Sequence, residues 1–184
     1  MLPKTTLSPS RRWAQLAPRW QFLLAAAGLY LAWLIAYEGI IGPDGRLDTW
    51  LSTNIAAASA GLLRLVGFAA SAAAGTTLLL MDNRPAVIVG APCDGLVLYA
   101  LFAGFIVAFP GPARPKLWFI PVGVLVLYLL NIVRVGALAL NHHYAHRSVD
   151  FNHHYTFSFV VYGFICLLWM QWVRRYGMPA AAGA

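Results

Sequence analysis

Residues 117–140 run for twenty-four positions with a single charge, Arg134. At roughly 1.5 Å of rise per helical residue, such a run spans the hydrocarbon layer of a bilayer, about 30 Å. In that layer a lone segment must satisfy its backbone polar groups internally, which makes it a helix. Similar runs cover residues 21–41, 95–109 and 155–173. The run 95–109 is short for a span, so it is expected to include Cys93 or to lie tilted in thinner surroundings. The whole chain agrees: 60% hydrophobic residues, 10% charged and a mean hydropathy of +0.68 fall outside the soluble globular range. The expected fold is an all-α integral membrane protein with about four transmembrane helices.

The segments between the runs complete this reading. Residues 1–20 form a basic, Pro-containing tail that ends at Trp20, and residues 177–184 a tail of small residues. Between them, 21–176 reads as one membrane domain, and its first run as a retained anchor, since no small-residue cleavage site follows it cleanly. Residues 47–74 are rich in Ala and Gly and interrupted by Asp48, Asn54 and Arg64, which suits an amphipathic helix on the outer surface. A membrane helix over 51–70 is the alternative. Two β-favouring runs, 76–81 and 86–90, flank Asp82-Asn83-Arg84-Pro85 and predict a short β-hairpin outside the bilayer. Residues 110–116 form a tight basic loop, and 141–152 a polar loop.

A net charge of +7 in a soluble chain would suggest nucleic acid, but here the basic residues cluster beside apolar runs. They report orientation, with the lipid bilayer as partner and no nucleic acid. Four spans put Lys4, Arg11, Arg12, Arg19, Arg114, Lys116, Arg174 and Arg175 on one side, and Arg46, Arg64, Arg84 and Arg147 on the other. By the positive-inside rule the termini are cytoplasmic. A fifth span at 51–70 would move Arg114 and Lys116 outside, against that rule.

This orientation gathers three reactive side chains near the outer face. Cys93 opens the run 95–109 within Ala91-Pro92-Cys93-Asp94-Gly95, His154 precedes the last run, and Arg134 lies roughly 12 Å below the outer end of its helix, within partial reach by snorkelling. A thiol is nucleophilic as its thiolate, which neighbouring cations favour. His154 would take the proton and return it to a leaving amine, while Arg134 would donate to the oxyanion of a tetrahedral intermediate. The reaction class is acyl transfer through a thioester. Structural readings of the same residues stand beside this one. Asn131 and Arg134, three apart, share a helix face on which they would bond loop carbonyls, the histidines would belong to a wet loop, and Cys166 reads as a small buried hydrophobe.

Cys-Asp-Gly opening one helix, Asn131-Ile132-Val133-Arg134 within the next and a His before the last together resemble the exosortase and archaeosortase family of membrane cysteine transpeptidases. The resemblance covers about residues 87–172 and extends to the phrases FAGFIVAFPGPARPKLWFIPVG, LNIVRVGALAL and FNHHYTFSFVVYGFICLLWMQW, which are similar to its compact bacterial members. It implies Cys93 as nucleophile, Arg134 as basic partner and a histidine as acid/base. The family spacing of a small residue four positions on and an aromatic after it selects His154, with Ser158 and Phe159, over His153. Supporting positions are Asp94, Asn131 and His153. Asp94 departs from the pattern, where Ser, Asn or Ala is more familiar, and a carboxylate there opposes thiolate formation unless Arg134 or solvent offsets it. The implied substrates are secreted proteins with a C-terminal sorting signal, namely a motif, a membrane helix and a basic tail. The implied location is the bacterial inner membrane, with the site facing outward and no cofactor.

Two rivals come from other classes. His142, His143, His146, His153 and His154 fall within thirteen residues, and His142 and His146 have the i, i+4 spacing of helical metal ligands. No Glu stands among them as a base, so the reading without metal is preferred. The second rival is a non-catalytic membrane scaffold.

Overall fold

The computed structural model describes residues 16–144 and 157–177. Helix α1 is Pro18–Ala36, with Pro18 at its first position, where a missing N–H costs nothing. It continues through one wide turn, Tyr37–Ile41, and a last turn, Gly42–Asp44. Gly45 ends it in the left-handed conformation at φ +62, as the Gly-Pro-Asp-Gly sequence predicts. No residue of α1 is buried, so it lies against the bundle as an outer helix, with Phe22 set edge-on to Phe105 and Phe109.

Helix α2, Arg46–Leu65, is the amphipathic helix expected within 47–74. Its buried residues Asp48, Leu51, Ser52, Ile55, Ala56, Ser59, Ala60 and Leu63 follow the three-to-four spacing of a single stripe. It ends earlier than the composition suggested, because Gly67 turns the chain at φ +93. The next residues then form a strand, β1, Ala70–Ala72. The hairpin therefore becomes a three-stranded antiparallel sheet in the order β1-β2-β3, with β2 at Leu78–Met81 and β3 at Arg84–Ile88. Asp82 and Asn83 at the β2–β3 turn both have positive φ, 49 and 60, which gives the right-twisted two-residue turn that suits a hairpin. The extra strand escaped the sequence reading because Ala-Ser-Ala has no β signature. It is held by pairing Ala70 with Met81 and Ala72 with Leu79. Leu79 and Met81 face the core and Leu78 and Leu80 do not, the period of two that a half-buried strand requires.

Helix α3 is Leu96–Ala108, α4 is Ala113–Tyr144 and α5 is Phe157–Tyr176. The central helix α4 packs on α2, α3, α5 and the sheet. It extends beyond residue 140, so Asn141 to Tyr144, assigned to a loop from their polarity, are its last turn. There His143 contacts the Asp82 carboxylate at 3.3 Å, which ties the helix end to the hairpin turn and supplies the tertiary support that polarity concealed. Cys166 is also placed differently from the expectation: it is exposed on α5, as are Phe164 and Leu167, while its neighbour Ile165 is the one that faces the core.

Two helices, Pro18–Asp44 and Ala113–Tyr144, are long and apolar enough to cross a membrane by length and composition, and α3 is apolar but shorter. The four expected apolar runs thus coincide with α1, α3, α4 and α5. Gly123 of α4 sits directly against the Phe102 ring of α3, where an added Cβ would overlap the ring, and Phe102 is fully buried. Gly123→Ala is expected to lower the thermal unfolding midpoint in detergent, by the equivalent of about 1–3 kcal/mol of overpacking. Gly104→Ala, with open space around its added methyl, leaves the midpoint unchanged or slightly higher.

Candidate active site

The segment that carries Cys93 is shaped by its own sequence. Pro92 lies within the short 3-10 turn Ala91–Cys93, which closes when Cys93 N–H donates to the Gly90 carbonyl at 2.7 Å. Gly95 then takes φ +82 as the cap of α3. A Cβ at that position would lie 2.7 Å from the Tyr99 hydroxyl, so glycine is required both for conformation and for space. Tyr99 uses the space to donate to the Asp94 carbonyl at 3.2 Å. Asp94 in turn accepts from Leu96 N–H at 2.8 Å through Oδ1, satisfying one orphan donor at the start of α3.

Helix α4 meets this turn with the two polar residues that interrupt its apolar run. Asn131 Nδ2 donates to the Cys93 carbonyl at 2.8 Å, and Asn131 Oδ1 accepts from Arg134 Nη1 at 3.4 Å. Asn131 is 2% exposed and Arg134 8%. Arg134 therefore does not snorkel to the surface; it stays buried, turned toward the Asn131 side chain one turn away on its own helix. Among the described residues it forms no ion pair, and its Nε has no hydrogen-bond partner. Between Asn131 and Arg134, the Ile132 carbonyl accepts from Ser59 Oγ of α2 at 3.0 Å, which brings a third helix to the same corner.

Cys93, Asp94, Asn131 and Arg134 are thus brought together, while His153 and His154 lie outside the described residues. The half-buried Cys93 thiol is pushed above its ordinary value by burial first; the Arg134 charge pulls it back and Asp94 adds to the rise. The resting side chain is accordingly a thiol that needs a base. For the rival metal site, His143 is engaged with Asp82, and His146 lies outside the described residues.

The residues that sequence reasoning missed are Asp48 and Tyr37. Asp48, read there only as a polar interruption of residues 47–74, lies on the buried stripe of α2, where it raises the Asp94 carboxyl, and Tyr37 of α1 donates to its Oδ2 at 3.4 Å. An acidic residue in register with Ser52, Ile55 and Ser59 on an otherwise apolar stripe was the available signal. Burial, and then Asp48, push the Asp94 carboxyl from 3.8 up to about 7, against the Leu96 hydrogen bond.

The family model for transmembrane exosortases matches residues 12–171. The chain belongs to the transmembrane exosortase family. The match takes in the Cys93 turn, all of α4 and most of α5, so each element that builds this corner lies within the family region. No curated protein and no solved structure matches the chain. A membrane protein of this family is consistent with the apolar helices above.

Two outcomes follow from the site. Asn131→Ala removes the hydrogen bonds to the part-buried Cys93 carbonyl and from Arg134 Nη1, and is expected to destabilise the protein by about 1–3 kcal/mol, read as a lower unfolding midpoint. The second concerns pH. A carboxyl whose folded value is raised contributes stability that is fully present below the unfolded value of 3.8 and is lost as pH rises through about 7. Unfolding midpoints measured between pH 4 and 8 should therefore fall with rising pH, and Asp94→Asn should flatten that fall.

Proposed function

We propose that this chain is a membrane-embedded cysteine transpeptidase, with Cys93 as nucleophile, Arg134 as oxyanion donor and His154 as acid/base. The observation that carries this reading is the buried Arg134. Without a carboxylate partner among the described residues, it is held by Asn131, which also grips the Cys93 backbone. An unpaired buried cation is costly, and it is best explained where negative charge develops during a reaction. The membrane context and family membership support a substrate of the sorting-signal kind.

In the first step His154 takes the Cys93 proton and the sulfur attacks the scissile carbonyl carbon, whose oxygen becomes an oxyanion facing Arg134. The C–N bond then breaks as His154 returns the proton to the departing amine, which leaves a thioester on Cys93. An acceptor nucleophile attacks that thioester, a base takes its proton, and the thiol is restored as the new bond forms. His153 and Asp94 support this arrangement from beside the acting residues. The catalytic unit is residues 21–176, and the tails 1–20 and 177–184 are cytoplasmic. On this reading the chain crosses a bacterial inner membrane four times and its site faces the outer side.

Co-expression with a secreted reporter that ends in a motif, an apolar helix and a basic tail tests this reading. Cys93→Ala should abolish processing, while Cys166→Ser should leave it intact. Arg134→Ala should lower the rate by roughly 10²–10³, the usual loss for one oxyanion donor. Processing that survives Cys93→Ala would refute the mechanism. Labelling of Cys93 by a membrane-impermeant thiol reagent from the cytoplasmic side alone would refute the topology.

A further inference from the structure

Asp94 is 0% exposed and Asp48 8% exposed, and α2 packs against the turn that precedes Asp94, close enough for the Asp48 carboxyl to raise that of Asp94. One oxygen of each is already engaged: Asp94 Oδ1 with Leu96 N–H, and Asp48 Oδ2 with the Tyr37 hydroxyl. The other two, Asp94 Oδ2 and Asp48 Oδ1, are fully buried and have no donor among the described residues. Two carboxylate oxygens are both acceptors, and they bond only when a proton lies between them. Two buried like charges at this range also cannot both persist, so a pair of this kind keeps one proton.

We propose that Asp48 and Asp94 share one proton between these two buried oxygens, and that this proton keeps Asp94 uncharged beside Cys93. Asp48 is thereby a positioning residue for the thiol site. It acts on Cys93 only through Asp94, and it lies forty-five positions away on the buried stripe of α2. The inference rests on the reading of Cys93 as the reacting thiol, but it concerns the ionisation of that thiol and needs no substrate.

The groups around the pair are consistent with one remaining negative charge. Tyr37 from α1 donates to Asp48, Tyr99 from α3 donates to the Asp94 backbone carbonyl, and Arg134 from α4 acts on the neighbouring thiol. Glu38 stands next to Tyr37 at the exposed surface. Among the described residues none of these gives a donor to the two orphan oxygens, and a shared proton would satisfy both. The same arrangement answers the difficulty raised by Asp94 in the sequence. What offsets its charge is neither solvent, from which it is sealed, nor Arg134 alone, but a second acid that holds it protonated.

The test is the rate of Cys93 alkylation by a small maleimide as a function of pH, on full-length protein in detergent with Cys166→Ser to silence the exposed thiol. In Asp48→Asn the amide can donate to Asp94, which then carries its charge at neutral pH. Below about pH 7, where the unmodified pair still holds its proton, alkylation in this variant should be about tenfold slower than in the parent. In Asp94→Asn alkylation below about pH 7 should match the parent, since Asp94 is already uncharged there, and should be faster above it, and the double variant should behave like Asp94→Asn alone, because Asp48 acts only through Asp94. Equal slowing in both single variants below about pH 7, or no slowing in Asp48→Asn, would overturn the proposal. A merely structural role would lower stability and leave these rate profiles unchanged.

Infrared difference spectra of the unmodified chain supply a measurement that needs no folded variant. A protonated-carboxyl band that is present below neutral pH and lost above it is the expected result, and the absence of any such band would overturn the shared proton. Since both readouts follow a thiol and a carboxyl instead of product, they stand or fall separately from the processing assay.

Discussion

The amide of Asn131 joins the two halves of the site. Its nitrogen holds the backbone of the turn that carries Cys93, and its oxygen holds the guanidinium of Arg134. An amide is the one uncharged side chain that donates and accepts at a fixed separation, so it can bridge a carbonyl and a cation. In an apolar surrounding each of those groups would otherwise carry a full desolvation cost. Because Asn131 and Arg134 are three residues apart on one helix, the bridge also fixes the Arg134 rotamer relative to the turn. The position of the thiol is therefore set by α4, a thirty-two-residue helix, instead of by the short helix it opens.

That arrangement demands close helix packing, and the small residues supply it. Gly123 lets the Phe102 ring of α3 lie on the α4 backbone, and Leu63 of α2 comes within ordinary contact range of the space above Gly136. Ser59 comes near enough to bond the Ile132 carbonyl, a group that already accepts within its own helix. The corner is therefore dry and built from three helices, the setting in which a hydrogen bond to a developing charge is strongest.

Much of this was legible in the sequence because it depends on long, repetitive signals. The apolar runs gave the helices, the small residues interrupted by Asp48, Asn54 and Arg64 gave the amphipathic α2, and the Asp82-Asn83 turn gave the hairpin. What failed was short or tertiary. Ala70–Ala72 became a strand only because β2 offered an edge, and Asn141 to Tyr144 stayed helical through the contact of His143 with Asp82. At the site, the pairing of Cys93 with Asn131 and Arg134 followed from depth along consecutive helices. The approach of Asp48 to Asp94 could not, since it joins elements whose relative placement no periodicity encodes. Reading Asp48 only as a polar interruption of 47–74 counted its charge and overlooked its face.

Charge balance then limits how such a site can react. Arg134 contributes one positive charge and, with a shared proton, the two aspartates contribute one negative charge, so the resting corner with a neutral thiol is close to neutral overall. Forming a thiolate there adds a negative charge to a buried place, and burial already pushes the thiol upward. The change is tolerable when the departing proton stays nearby on an imidazole, because thiolate and imidazolium together leave the total unchanged. If both aspartates were ionised, the same step would begin from a net negative corner and would be opposed twice. The proposed second acid thus matters to the reaction through the charge it removes from Asp94, and the proposed histidine base meets the same electrostatic demand.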